Sequence, residues 1–380
     1  MPVDDDYTWH DAQSFDIEGQ GWSLEALHTR YDRLPREAEP LVPEAVWELS
    51  RLTAGLLARF STNAETIRAR WTLGQPERTL DHMPMSGSAG LDLYANINGI
   101  WRWAGVGRPK RHGSAEQEDE LVCNLLHGEK TFHLYFPLFN TIEKLEIGIP
   151  RSATIAPAPK RQADKSKPVV YYGTSIVHGA CASRPGMTYP AQIERRLNRP
   201  AINLGFAGNA RMEESLALLL AQLDPAAFVI DPLPNMNAEQ VAERAERFIT
   251  ILHEARPQTP IILVENIAYP SSAVKAPGAR GEVAKNAALQ KVFITMRDAC
   301  DGKLALVPSQ QLLGVDGEAT VDGTHPTDLG FRRMADVIEP YVRRAVDGFS
   351  AASAGRAHSV GRTSLPRTPS TPRARTEILR

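Results

Sequence analysis

The chain has 380 residues, of which 42% are hydrophobic and 23% are charged, as in ordinary globular proteins. This composition excludes wholesale disorder, a collagen-like repeat and a coiled-coil rod. The formal net charge of −2 gives no reason to expect a nucleic acid or a membrane surface as a partner. At roughly 100–200 residues per domain, the length predicts two domains.

The chain begins MPVDDDYTWHDAQ, which is acidic and polar where an export signal has a basic end and an apolar core. No stretch approaches the roughly 18 apolar residues of a membrane span. We therefore expect a cytoplasmic protein, although a misassigned start codon would leave export open. Three cysteines, Cys123, Cys181 and Cys300, lie far apart without C-x-x-C spacing, so we expect reduced thiols and no structural zinc site.

The segment from Ala64 to Pro150 carries short apolar patterns of period two between turn residues. The patterns are TIRARWTL, GLDLYAN, IWRWAGVG, KTFHLYFPL and KLEIGIP. Their alternation and their aromatic and β-branched residues predict an antiparallel, jelly-roll-like β-sandwich over residues 1–155. Trp101 and Trp103 face one side of a strand, where exposed aromatic rings can stack on sugars, but we expect these two side chains to pack in the core.

Residues 156–168, APAPKRQADKSKP, lack an apolar period and are typical of a linker. Beyond them, apolar strands such as VVYYG, AINLG and AFVID alternate with amphipathic segments. This order predicts a doubly wound α/β domain over residues 169–347, with ligands at the carboxyl ends of its parallel strands. Residues 348–380 are rich in Ser, Thr and Pro and hold six arginines against one glutamate, which predicts a disordered basic tail.

Polar residues lie after the first and the last predicted strand of the α/β domain. Ser175 comes just after Gly173 and the first strand, at the start of a helix, where a hydroxyl can face solvent and a backbone N–H is free. A helix N-cap is the other interpretation of this serine. Asp322 precedes His325 by three residues in VDGTHPTDLGF, so one loop can hold a carboxylate that orients the imidazole as a base. Thr327 is expected to cap the last helix.

Two intermediate junctions supply hydrogen-bond donors. The N–H of Gly208 and the side-chain amide of Asn235 can join the Ser175 N–H around an oxyanion, although glycines also punctuate ordinary loops. Asn209 and Asn237 are neighbouring alternatives for the amide. His178 is a rival base without a carboxylate partner, and we expect it to be structural. No basic cluster surrounds Cys181, which we expect to be a small packed residue.

These residues occur in the order of the four sequence blocks of the SGNH, or GDSL-like, hydrolase family, which they resemble. The matching residues are Gly173-Thr174-Ser175, Gly208, Asn235 and Asp322-x-x-His325. Gly90-Leu91-Asp92-Leu93-Tyr94 is similar to the GxDLY signature of a bacterial branch in which a β-sandwich precedes the esterase-like domain. The chain departs from the family pattern in having Thr174 for Asp and in the Pro-Asn-Met context of Asn235.

The resemblance implies a flavodoxin-like, parallel five-stranded sheet and a set of roles for its residues. Ser175 would be the nucleophile, His325 the base and Asp322 its orienting partner, while the oxyanion hole would use Ser175, Gly208 and Asn235. The implied function is a serine ester hydrolase that removes a short acyl group, expected to be acetyl, from a carbohydrate-like or small alcohol. It needs no metal or organic cofactor, and we expect none.

Two alternatives stay open at this point. The same triad serves a broad small-ester esterase or an acyltransferase, because the triad does not determine whether water or an alcohol accepts the acyl group. A carbohydrate-binding protein with an inactive hydrolase-like domain would belong to another class. The sequence leaves the oligomeric state open, and we expect a small-molecule or carbohydrate ester as the partner.

Overall fold

The computed structural model describes residues 6–110, 113–276 and 281–348. The tail predicted for residues 348–380 lies outside the described residues from position 349 onward. Among the described helices, none has both the length and the apolar character that a bilayer crossing requires.

The first part of the chain forms two antiparallel sheets. Its strands are β1 (Tyr7–Asp11), β2 (Asp16–Glu18), β3 (Leu57–Thr62), β4 (Ile67–Leu73), β5 (Leu91–Ile97), β6 (Ile100–Gly107), β7 (Glu116–Val122), β8 (Lys130–Tyr135), β9 (Ile142–Pro150) and β10 (Ile155–Pro157). One sheet has the order β1-β9-β4-β7 and the other β10-β3-β8-β5-β6, with β2 paired to β3. In β4, alternate residues from Ile67 to Leu73 are buried, as the period-two pattern predicts. The last strand runs two residues into the predicted linker.

The second part is a parallel sheet between two layers of helices. Its strands are β11 (Val169–Gly173), β12 (Ala201–Gly205), β13 (Ala227–Asp231), β14 (Ile261–Val264) and β15 (Leu304–Val307). They pair in the order β12-β11-β13-β14-β15, which is the flavodoxin-like order 2-1-3-4-5. All of β11 and β13 is buried, because helices cover both faces. The predicted doubly wound fold is confirmed.

The helices of the described residues complete these layers. They are α1 (Glu44–Ser50), α2 (Met85–Ser88), α3 (Ser175–His178), α4 (Tyr189–Leu197), α5 (Glu214–Gln222), α6 (Ala238–Ala255), α7 (Gly281–Met296) and α8 (Asp328–Val346). Short 3-10 helices occupy Ala12–Ser14, Leu24–Ala26, Arg36–Ala38, Ala163–Lys165, Pro185–Met187, Leu233–Asn235 and Pro270–Ala273.

Part of the N-terminal region packs against the second sheet instead of the sandwich. Leu34, Val46 and Trp47 belong to the same buried cluster as residues of the parallel sheet and its helices. Beside them, the fully buried Arg33 guanidinium donates to the carbonyl oxygens of Asn203 and Gly205, each at 2.9 Å. The sequence analysis assigned this segment to the sandwich, since its short turns carry no apolar period that would indicate a different partner.

The GxDLY signature lies where the sandwich meets the α/β layer. The Asp92 carboxylate, with no exposed surface, accepts hydrogen bonds from the Arg184 side chain at 2.8 Å, from Gly186 N–H at 2.8 Å and from Trp103 Nε1 at 3.0 Å. Arg184 also donates to the Tyr94 hydroxyl at 2.6 Å. The aspartate and the tyrosine of the signature therefore fix the loop that follows α3.

We expect Asp92→Asn to lower the free energy of unfolding by about 3 kcal/mol, because it leaves the largely buried Arg184 charge without its carboxylate. The matched substitution Asp224→Asn breaks an ion pair with Lys167 whose side chains are 61% and 56% exposed, so it should cost less than about 1 kcal/mol. Urea unfolding followed by tryptophan fluorescence measures both. Equal losses would show that the Asp92 contacts add no stability of their own.

Candidate active site

A tight turn presents Ser175 at the carboxyl end of β11. Gly173 has no room for a side chain, because a Cβ there would lie 2.5 Å from the carbonyl oxygen of Asp231. Thr174 is the N-cap of α3, and its hydroxyl accepts a hydrogen bond from Ile176 N–H at 3.3 Å. The cap role considered for Ser175 thus belongs to its neighbour. The Ser175 hydroxyl is left for His325, whose Nε2 lies 2.9 Å from Oγ.

The loop before α8 holds the imidazole in place. His325 Nδ1 lies 2.6 Å from Oδ2 of Asp322, while Oδ1 accepts the backbone N–H groups of Thr324 and His325 at 2.9 and 2.8 Å. Thr327 caps α8 by accepting from Gly330 N–H. Partial burial by itself raises the pKa of Asp322, but the hydrogen bonds from His325 and Thr324 outweigh this effect. The net result is a pKa lowered to about 2. The carboxylate is therefore charged at neutral pH and fixes the tautomer that leaves Nε2 facing the hydroxyl.

The predicted oxyanion donors follow the two strands that flank β11. Gly208 has a left-handed backbone, with φ +71°, and no atom lies near its missing side chain. Asn235 ends the 3-10 helix after β13, and its amide donates to the carbonyl oxygen of Asn209. The two alternative amides have other partners, since Asn237 forms the capping box of α6 and the Asn209 side chain donates to Ala207 O at 3.1 Å. A carboxamide has two N–H groups, so Asn235 and Asn209 each keep one beyond the bond described, and Asn235 as the oxyanion donor stays a prediction.

Two titratable side chains lie buried near Ser175. His178 has no exposed surface, donates a hydrogen bond from Nε2 to Leu138 O at 2.7 Å and stacks on Phe139. Burial lowers its pKa well below the ordinary value. Asp231 is bonded by the Tyr189 hydroxyl at 3.1 Å, and burial raises its pKa to about 8. Burial therefore disfavours the charged form of both groups, whereas Asp322 is the charged carboxylate bonded to His325.

Comparison with protein-family models gives two matches along the chain. The model of the GDSL-like Lipase/Acylhydrolase family matches residues 166–343. A second model, described as the N-terminus of Esterase_SGNH_hydro-type, matches residues 7–155. The chain belongs to the GDSL-like acylhydrolase family. It is an ester hydrolase of the SGNH type with the GxDLY domain in front, as the resemblance implied.

Solved structures give the same result. A protein described as a GDSL-like lipase from Bacteroides ovatus ATCC 8483 is 33% identical, with a TM-score of 0.82 over 90% of this chain and 98% of that one. The salicylyl-acyltransferase SsfX3 from a tetracycline biosynthetic pathway is 20% identical, with a TM-score of 0.67 over 88% and 94%. An acetyl xylan esterase, Est2A, from Butyrivibrio proteoclasticus is 12% identical, with a TM-score of 0.51 over 90% and 99%. The last two show the fold alone. A search of curated protein sequences found no match.

The sandwich brings a further histidine to the active site of this acylhydrolase. His82 lies between β4 and α2, and its ring centre is 5.3 Å from that of His325. Cys181, which follows α3 with φ +72°, completes a group whose ligand atoms all lie within 4.8 Å of one another. Burial raises the pKa of the Cys181 thiol to about 12, and the Asp322 carboxylate contributes. The sequence does not predict that His82 lies at this site, because no motif surrounds it and its position depends on how the two domains pack.

Trp103 does not pack in the core, as was predicted for it, but lies at the surface. Its side chain is 52% exposed and, with Trp101 and Tyr94, lines a cavity of about 610 Å³. The Arg184 guanidinium lies 5.1 Å from the Trp103 ring centre. The prediction was wrong because this face of β6 contacts the loop after α3, which carries Arg184, and a cleft remains between the strand and the loop.

We expect Asp322→Asn to reduce kcat by about 10²- to 10⁴-fold while the turn persists. The Asn Oδ1 still accepts the two backbone N–H groups, but its NH₂ faces Nδ1 and favours the tautomer with the proton on Nε2. Asp316→Asn, which alters the exposed pair with Arg333 in the preceding loop, should leave kcat near that of wild type. Steady-state kinetics on a chromogenic acetyl ester measure both, and an unchanged kcat for Asp322→Asn would remove the carboxylate from the mechanism.

Proposed function

We propose that this acylhydrolase removes an acetyl group from a carbohydrate-like alcohol through a covalent acyl-enzyme on Ser175. One observation carries the proposal: Asp322, His325 and Ser175 form a continuous hydrogen-bonded series, with 2.6 Å from Asp322 Oδ2 to Nδ1 and 2.9 Å from Nε2 to Ser175 Oγ. This is the arrangement in which a hydroxyl becomes a nucleophile as it attacks, because a positioned base accepts its proton.

The reaction then proceeds in two acyl transfers. Ser175 Oγ bonds to the ester carbonyl carbon while its proton passes to His325 Nε2, and the carbonyl oxygen becomes an oxyanion. Collapse of this intermediate breaks the bond to the alcohol, which leaves with the proton from His325. Water next gives its proton to His325 and attacks the acyl carbon, and release of acetate returns the proton to Ser175 Oγ. Asp322 keeps its charge throughout and stabilises the imidazolium.

The oxyanion would be held by three N–H groups. The N–H of Ser175 lies in the first turn of α3, and those of Gly208 and Asn235 come from the loops after the flanking strands. The bond from Asn235 to Asn209 O joins these two loops and orients the amide. Fixed donors of this kind are worth on the order of 3 kcal/mol each toward the transition state.

The carbohydrate part of the proposal is supported by the cavity at Trp103. It combines aromatic faces, from Tyr94, Trp101 and Trp103, with planar polar groups such as Arg184 and Gln192. Sugars are held in proteins by rings that cover their C–H faces and by groups that bond their hydroxyls. Arg184 lies on the loop that follows α3, and the proposal is that an extended substrate at Ser175 also binds in this cavity. The fold is shared with Est2A and with family two carbohydrate esterases.

We expect Ser175→Ala to lower the turnover of a chromogenic acetyl ester by at least about 10³-fold with unchanged folding. Ser166→Ala, at an exposed serine of the linker, serves as the matched control and should leave turnover as in wild type. Circular dichroism checks folding. A Ser175→Ala variant that turns over the ester at the wild-type rate would refute the proposed nucleophile.

The same assay distinguishes the two alternatives. Acetylated sugars of different linkage are supplied with and without a second alcohol, and free acetate and transferred ester are both measured. Acetate release supports hydrolysis, whereas dominant ester formation would replace it with acyl transfer, as the name of SsfX3 describes for that protein. A protein that binds sugars and releases no acetate would make the chain a binding module.

We expect Trp103→Ala to raise KM for an acetylated oligosaccharide by about tenfold, since stacking and cation–π contacts at one ring are worth about 1–2 kcal/mol. The KM for a small chromogenic acetyl ester should not change, because such a substrate does not reach the cavity. Arg102→Ala, on the opposite face of the same strand, is the control. Equal KM changes for both substrates would place the sugar elsewhere.

A further inference from the structure

We propose that His82, Cys181 and His325 form a zinc site that reversibly switches the enzyme off. The three residues come from distant parts of the chain: the segment before α2 in the sandwich, the loop after α3 and the loop before α8. Their ligand atoms all lie within 4.8 Å of one another. The inhibition rests on the proposed function, whereas the binding site does not.

The distances suit a tetrahedral ion. Donor atoms around a four-coordinate zinc ion stand about 3.3–3.6 Å apart, given bond lengths of about 2.0–2.3 Å. Three donors within 4.8 Å therefore need to approach by about 1.5 Å at most. His82 lies on a loop, where rotation of its side chain can bring the ring nitrogen closer to the other two donors.

The arrangement around His325 also fits a metal ligand. Its Nδ1 is bonded to the Asp322 carboxylate, so Nε2 is the nitrogen that faces the site. A carboxylate behind a ligating imidazole is the usual outer partner of protein-bound zinc, since it fixes the ring and raises its basicity. Ser175 Oγ, 2.9 Å from Nε2, or a water molecule can take the fourth position.

Zinc at this site would remove the base from catalysis. The lone pair of Nε2 that accepts the Ser175 proton would be bonded to the ion, and the nucleophile could no longer be deprotonated. The Cys181 thiol would lose its proton to solvent on binding. Two imidazoles and a thiolate favour zinc over magnesium or calcium, which prefer oxygen ligands. The site is inhibitory and does not supply a cofactor to the reaction.

The first experiment follows metal binding without using activity. Cobalt(II) is added to the full-length Ser175→Ala variant, which retains all three ligands, and the absorption spectrum is recorded. We expect a sulfur-to-cobalt charge-transfer band together with the intense visible bands of tetrahedral cobalt, both abolished by excess zinc. The band should disappear in Ser175→Ala/Cys181→Ser and persist in Ser175→Ala/Cys123→Ser, because Cys123 is exposed and lies outside the cluster.

The second experiment measures inhibition of the wild-type protein in zinc-buffered solution. Esterase activity should fall at least about tenfold at saturating zinc, recover on addition of a chelator and not respond to magnesium. His82→Ala, with its own zinc-free activity taken as the reference, should need at least about tenfold more zinc for half inhibition. His127→Ala removes a histidine that is 93% exposed on the sandwich and should match wild type.

The outcomes separate the two proposals. Absence of the thiolate band would overturn the zinc site, as would half inhibition of His82→Ala at the wild-type zinc concentration. A thiolate band in Ser175→Ala, together with a wild-type protein that hydrolyses no ester, would retain the metal site and refute the proposed function.

Discussion

The buried carboxylate of Asp92 determines how the two parts of this chain meet. A carboxylate without solvent is stable only when charged or polar donors surround it, and the sandwich provides just the Trp103 N–H among the donors described. The other donors, Arg184 and Gly186, belong to the loop after α3, the helix that begins at Ser175. The Asp92 carboxylate of the sandwich therefore lacks most of its hydrogen-bond donors unless the α/β layer is in place. If the loop moved, the Asp92 carboxylate would stay buried without the Arg184 guanidinium.

This constraint extends to His325 through the same loop. Ser183, next to Arg184, donates its N–H to Asp328 at 2.9 Å, and Asp328 starts α8 three residues after His325. On the sandwich side, Ser86 donates to Ser183 O at 2.7 Å. Residues of both domains thus hold one short segment that lies between Ser175 and His325 along the chain. The GxDLY signature helps to position this segment through Asp92 and Tyr94.

The sequence predicts the features of the fold that depend on the local pattern of apolar residues and on the order of strands and helices. Near-continuous apolar strands separated by helices specify the parallel sheet, and its carboxyl edge brings Ser175 and His325 together although 150 positions separate them. Contacts between domains have no such signal. His82 and the exposed face of Trp103 depend on how the sandwich docks, and the segment around Val46 packs on the α/β core through short turns that have no period. Tertiary packing, which no short pattern encodes, determined these features.

Burial explains why charge at this site is concentrated in a single pair. Asp231 and His178 lie close to the nucleophile's turn, and each would disturb the imidazole if it were ionised, because interactions between charges are strong in a poorly solvated interior. Burial disfavours the charged form of both groups, by raising the pKa of Asp231 to about 8 and lowering that of His178. Asp322 keeps its charge since its loop, partly open to water, donates two backbone N–H groups to it. Solvation and backbone hydrogen bonds, in addition to closeness in sequence, thus make Asp322 the charged carboxylate beside His325.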